Sequence, residues 1–248
     1  MLDASAWLVP DWPAPAGVRA VCTTRACGVS QGPYSGLNLG DHVGDRPGDV
    51  RANRAALRAD IGLRPVFLQQ VHGTDVLALD ANTPDGALAD ACTTTDTGIA
   101  CTIMVADCLP VLFTDRDGRR VAAAHAGWRG LAAGVLERSV DVFGDERPMA
   151  WLGPCIGPSA FEVGDEVRAA FMARSAEAAI CFRPGAAPGK WWADLPGLAH
   201  QRLRAAGVDS LHGNDGSDAW CTVSNPLRFF SHRRDGVSGR FAACIWRE

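Results

Sequence analysis

The spacing of apolar and polar positions changes period several times along the chain. Residues 17–24 alternate as a strand does and lead into a glycine-rich loop at 27–36. Over 49–61 the period becomes helical, with Val50, Leu57 and Ile61 on one face and Gly62 as a stop. The runs 65–71 and 74–79 are rich in strand formers and flank a turn signal at Gly73. Strands are expected at 98–106 and 110–114. The tetrapeptide Asp115-Arg116-Asp117-Gly118 then reads as a turn, and 119–125 as the returning strand. A helix is expected at 130–143, where Leu131, Val135, Leu136 and Val140 share a face. Further along, 149–155 reads as a strand, 165–174 and 195–206 as helices, and 228–231 and 240–246 as closing strands.

Strands outnumber helices in this pattern, and they come partly in hairpins and partly separated by helices. The expected class is therefore α/β (α+β): a layered sandwich of mixed β-sheets flanked by helices, in preference to a regular doubly wound fold. No GxGxxG follows a strand and opens a helix, so no dinucleotide cofactor is expected. Repeats, heptads and low-complexity tracts are missing, and the stretches at 10–15 and 184–189 are too short to be domain linkers. Residues 1–248 read as one domain.

Composition narrows the function classes. The formal net charge is -4, with no block of like charge. Nucleic acid and anionic membrane both call for a basic stripe, so neither is an expected partner. The amino terminus has neither a basic nor an apolar region of a signal peptide, and Arg, Asp and Gly interrupt every apolar run before it could span a bilayer. A cytoplasmic protein is expected. Its nine cysteines are odd in number, scattered and set among apolar neighbours, which fits buried reduced thiols. The absence of CxxC excludes zinc ribbons and thioredoxin-like redox pairs.

Three segments carry chemistry. Gln69-Gln70-Val71-His72-Gly73 ends a strand with a histidine, Ala106-Asp107-Cys108-Leu109-Pro110 sets a carboxylate beside a thiol, and His125-Ala126-Gly127-Trp128-Arg129 opens a helix after a strand. Taken singly, each reads as a core histidine or a buried thiol. Together, all three lie at strand ends, where side chains converge outside a sheet. Imidazole and thiolate suit a borderline-soft ion, and two His with one Cys leave a fourth position open, as catalytic zinc sites do. Spacing alone goes no further than a candidate metal site.

The segments QQVHG, ADCLPVLF, AAHAGWRG, LGPCIGPSAFEVG and FFSHRRDGVSGR, with TTRACGVSQGPYSGLNLG near the start, resemble the laccase-domain (YfiH-like) family from about Thr23 to Trp246. That family's names include multicopper polyphenol oxidase and purine nucleoside phosphorylase. The resemblance implies a four-layered sandwich with mixed sheets and assigns the metal to His72, Cys108 and His125. Two positions depart from the family pattern. Cys27 stands where a second glycine is usual, and His232 where a tyrosine commonly precedes the paired arginines.

The resemblance further implies zinc-dependent phosphorolysis of purine nucleosides (adenosine, inosine, guanosine and methylthioadenosine), with adenosine deamination as a companion activity. Zinc with an open position lowers the pKa of a bound water to about 7 or polarises a substrate oxygen. Cys108, Asp107 and Arg129 are then the candidate catalytic residues, with Asp107 either handling a proton or orienting a ligand histidine. Arg25 and Arg129 are candidate phosphate contacts, and Arg233 and Arg234 are weaker ones. Asn38 and His42 are candidate contacts to ribose or base, or else turn residues. The acid that protonates the departing purine is not legible.

Rival readings are open at this point. A multicopper oxidase needs many imidazoles in His-x-His pairs, whereas the six histidines (His42, His72, His125, His200, His212 and His232) form none. A single copper in the same trio is the alternative to zinc. The cytidine-deaminase class is excluded, because His125 is followed by Ala126-Gly127 and Pro154-Cys155 lacks its second cysteine. A cytoplasmic hydrolase editing muramyl-peptide precursors would use similar parts. A metal-stabilised binding module would instead close the site with a fourth protein ligand, for which Cys155 is the first candidate.

Overall fold

In the computed structural model, which describes residues 2–248, the apolar periods resolve mainly into short strands. The amino-terminal part contains β1 (Trp7–Leu8), β2 (Val18–Thr23), α1 (Pro47–Ile61), β3 (Arg64–Phe67) and β4 (Val76–Ala78). The centre contains β5 (Ala91–Thr94), β6 (Ile99–Val105), β7 (Leu109–Thr114), β8 (Val121–Ala126), α2 (Trp128–Ala133), α3 (Val135–Asp141) and β9 (Met149–Leu152). There follow β10 (Glu162–Gly164), α4 (Asp165–Met172), β11 (Phe182–Pro184), β12 (Lys190–Ala193) and α5 (Leu195–Ala205). The chain closes with β13 (Leu211–Gly213), α6 (His232–Asp235) and β14 (Phe241–Arg247).

These strands form two mixed sheets and a small antiparallel one. The first runs β1-β2-β14-β6-β3, with only β3 and β6 parallel. The second runs β13-β9-β7-β8-β5-β4, with parallel pairs at both edges. The third runs β10-β12-β11.

Side-chain alternation fixes the layering, because successive residues of a strand face opposite ways. From β6, Ile99, Cys101, Ile103 and Val105 pack with Leu112, Val121, Ala123 and Trp151 of the second sheet. Ala100 and Met104 turn the other way, towards Leu57 of α1. On the far side of the second sheet, Val111 and Phe113 pack with Leu136 of α3 and Leu198 and Leu203 of α5. The layers are therefore helix, sheet, sheet and helices, as the family resemblance implies.

Three expected elements differ, each for a local reason. The helix expected over 130–143 is broken, because Gly134 adopts φ +111° and ends α2 before α3 begins. Residues 228–231 are not a strand. The Arg228 and Phe229 amides donate to the Asn225 carbonyl in a turn, while Phe229 and Phe230 are buried. The strand expected over 65–71 stops at Phe67, and the chain then leaves the first sheet for the second. All nine cysteines are unpaired, and all but Cys27 and Cys108 are buried. Among the described residues, no helix is long and apolar enough to cross a membrane.

Candidate metal centre

Two crossings between the large sheets meet at one end of the sandwich. The β6–β7 crossing is only Ala106, Asp107 and Cys108, and so tight a turn puts Asp107 at φ +87°. In the β3–β4 crossing His72 adopts φ +61°. Left-handed backbone at residues other than glycine is uncommon and persists where neighbours hold it. At Asp107 the hold is explicit. Its Oδ1 accepts from Thr222 Oγ1 at 2.6 Å and its Oδ2 from the Arg233 amide at 2.6 Å.

The His72 turn is held by Asp90, a buried residue just before β5. The Asp90 carboxylate accepts from the amides of Val71, His72 and Gly73 at 3.1, 2.8 and 2.6 Å. The same carboxylate bonds His125 Nδ1 at 2.8 Å, and the Asp90 carbonyl accepts from the His125 amide at 2.7 Å. One residue thus shapes the His72 loop and fixes the ring of His125, leaving His125 Nε2 free to face the centre. The buried charge is balanced by these donors. Burial acts to raise the Asp90 pKa, but His125 and the amides outweigh it and hold the group below the usual carboxylate range.

The ligand atoms of His72, Cys108 and His125 all lie within 4.8 Å of one another. Cys108 Sγ is 3.7 Å from His72 Nε2, and the two imidazoles meet edge-on with centroids 4.7 Å apart. His125 is buried, Cys108 partly exposed and His72 exposed, so the trio opens to solvent on one side. Burial would raise the Cys108 thiol, but His125 and then His72 bring it down to about 6. Burial likewise lowers His125, while Cys108 and Asp90 carry it up to about 9. Cys108 is therefore a thiolate at neutral pH, the form that binds metal. By contrast, burial without such neighbours pushes Cys244 up to about 12.

Two structural objections to an open site fail on geometry. Among the described residues no fourth His, Cys, Asp or Glu joins the trio. Cys155 is fully buried elsewhere, where its sulfur accepts from Asn214 Nδ2 at 3.4 Å. Beside Cys108 and Asp107 lies a cavity of about 200 Å³ walled by Trp128, Ile156, Phe161 and Leu195.

The other sequence-predicted residues are placed differently. Arg129 is exposed in the first turn of α2, its guanidinium 4.4 Å from the centroid of the Trp128 ring. Arg25 donates to the carbonyls of Pro226 and Ser35 and stacks on Phe230, which fastens the glycine-rich loop to the carboxyl-terminal segment. Asn38 is buried, with Oδ1 accepting from Gly40 and Arg240 amides and Nδ2 donating to Asp45 and Gly40. His42 is exposed and lines a separate cavity of about 360 Å³ with Arg54 and Gln70. Arg234 is tied to Asp235 and to the carbonyls of Thr222, Val223 and Phe229.

Sequence reasoning missed three residues. Asp90 sits among alanines, Leu88 and Cys92 in a stretch with no periodicity, and nothing in that stretch marks it. Gly127 lies inside a segment already singled out, yet its reason is spatial: a Cβ there would lie 2.7 Å from His72 Cδ2 and 3.0 Å from Cys108 Sγ. Arg240 precedes β14, whose Phe241 pairs with Val105, so it faces the point where β6 gives way to Asp107 and Cys108. Burial lowers its pKa, and the negative charges of Cys108 and Asp107 oppose that shift.

Fold and site together define a layered α/β protein with an open His-Cys-His centre, and the chain belongs to the multi-copper polyphenol oxidoreductase laccase family, whose model matches residues 19–248. It is 56% identical over 246 residues to a Pseudomonas aeruginosa protein named purine nucleoside phosphorylase, covering 98% of each chain. It is 51% identical over 243 residues to Escherichia coli purine nucleoside phosphorylase YfiH, covering 96% of this chain and 98% of that one. A crystal structure of a Neisseria meningitidis protein superposes with a TM-score of 0.90 at 48% identity, covering 98% of this chain and 99% of the other.

Proposed function

We propose that this chain is a cytoplasmic, zinc-dependent purine nucleoside phosphorylase, acting on adenosine, inosine, guanosine and methylthioadenosine, with adenosine deamination as a companion activity. The observation that carries the reading is the trio, open on one side and joined by no fourth His, Cys, Asp or Glu among the described residues, beside an apolar cavity. The names of relatives at 56% and 51% identity support it.

The donor set fits zinc. Bonds of about 2.0–2.1 Å to nitrogen and about 2.3 Å to sulfur at a tetrahedral angle set the two donors about 3.6 Å apart. Cys108 Sγ and His72 Nε2 are 3.7 Å apart. Bound there, zinc supplies Lewis acidity towards a substrate oxygen.

The chain's own groups do the positioning. Asp90 orients His125 and holds the His72 loop. Asp107, with both oxygens engaged, fixes the start of α6 against the site. Arg129 and Arg240 are the cations best placed for phosphate. The first is exposed at the start of α2, and the second sits in the field of Cys108 and Asp107. Arg25 and Asn38 act through the loop they fasten, and His42 through the separate cavity it lines.

The test is base release from inosine and adenosine by zinc-loaded protein, with and without inorganic phosphate, alongside Cys108→Ala. The expected result is release of free base from inosine only when phosphate is present, and its loss in the variant. Phosphate-independent release, or equal activity in Cys108→Ala, would overturn the proposal.

A further inference from the structure

We propose that the cavity beside Cys108 is the purine subsite and that His232 is the catalytic residue that donates a proton to the departing base. This rests on the phosphorolysis reading above.

The cavity has the shape and chemistry of a base site. At about 200 Å³ it falls below the roughly 300–1,000 Å³ that enclose drug-sized ligands. It therefore suits one planar bicycle better than a whole nucleoside. Trp128 and Phe161 line it with aromatic rings, and Ile156 and Leu195 complete an apolar wall. Cys108 is part of its lining, so the sugar of a base seated there lies beside the trio.

Phosphorolysis breaks the C1′–N9 bond, and the electron pair of that bond goes to the purine. A proton delivered to the ring makes the base a neutral leaving group. The polar groups that line the cavity are Asp107, Cys108, His232 and Arg233. Asp107 accepts hydrogen bonds at both oxygens. Cys108 is taken up in the trio with His72 and His125. Arg233 donates to the Glu162 carbonyl and lies over Phe161, and a guanidinium does not give up its proton in water. His232 is exposed, and its imidazole makes no hydrogen bond to another described residue. Imidazole is also the side chain that exchanges protons most readily near neutral pH. The bond from the Arg233 amide to Asp107, at 2.6 Å, fixes the backbone next to His232 against the cavity.

The step balances. A phosphate oxygen bonds to C1′, the C1′–N9 bond breaks, and the His232 imidazolium protonates the purine. The hydrogen phosphate gives up its proton on forming the ester, and that proton restores the imidazolium. No oxidant or reductant is needed.

The experiment compares unmodified protein, His232→Gln and His232→Tyr on inosine and on 7-methylinosine with inorganic phosphate. The base of 7-methylinosine already carries a positive charge and departs without protonation. His232→Gln is expected to lower kcat/KM for inosine by about 10²–10⁴-fold while leaving 7-methylinosine turnover unchanged. That unchanged turnover also shows that the variant is folded and metal-loaded. His232→Tyr, which retains an O–H donor, is expected to recover part of the inosine activity. Equal losses on both substrates, or no loss on inosine, would overturn the assignment. If the unmodified protein releases no base from either substrate with phosphate, the phosphorolysis reading falls and this one with it.

Discussion

At Gly127 the requirement is for an absent atom. Its φ of -66° suits any residue, so the glycine is needed for space and not for conformation. A Cβ there would press on the His72 ring and the Cys108 sulfur, with His72 Cδ2 at 2.7 Å and Cys108 Sγ at 3.0 Å. His72 lies on an exposed loop and yields more easily than the buried strands behind it. Gly127→Ala is therefore expected to fold normally but weaken metal binding about 10–100-fold, as changes beside metal ligands do. A zinc titration against a competing chelator measures this, and unchanged affinity would show that the trio tolerates the methyl. The candidate trio itself was legible in the sequence, because His and Cys at strand ends are conspicuous. Asp90 was not, because a carboxylate among Ala and Thr has no period to betray it, and its partners lie in the His72 turn and at His125.

Among the elements, α2 and α3 show where periodicity misleads. Leu131, Val135 and Leu136 do face one core, as a single helix would require. Yet Gly134, between them, takes φ +111° and its amide caps α2 by donating to the Gly130 and Leu131 carbonyls. The break lets α2 lie beside the centre, with Gly130 against the His72 turn, while α3 packs on β8. A Cβ at Gly134 would have room, with its nearest neighbour 3.5 Å away, so substitution strains only the backbone. Gly134→Ala is expected to cost about 1–2 kcal/mol, read from urea unfolding, with zinc affinity retained. A variant as stable as the parent would mean that the two helices can merge without penalty. The same limit explains the other misread elements. A turn such as 226–228 buries Phe229 and Phe230 as a strand would, and β5, with only Ala, Cys and Thr, lacks the large apolar residues that announce strands.

At the scale of the molecule, the centre is where the two large sheets are joined. Cys108 belongs to the short crossing from β6 to β7, His72 to the crossing from β3 to β4, and His125 to β8 in the second sheet. A metal held by all three binds the connections between the sheets to the second sheet itself, and it binds them only in the folded arrangement. Mass action then makes metal a stabiliser of the whole fold: at a free concentration of 100 Kd, the gain is about 2.7 kcal/mol. For a chain of this length each kcal/mol moves Tm by roughly 2–4 °C, so zinc is expected to raise Tm by roughly 5–11 °C. Cys108→Ala removes the ligand on the shorter crossing and should lose most of that rise, even though its metal-free Tm stays close to the parent's. Thermal unfolding of both proteins with zinc and with chelator gives the comparison. An equal rise in the variant would place the stabilising metal somewhere other than between these crossings.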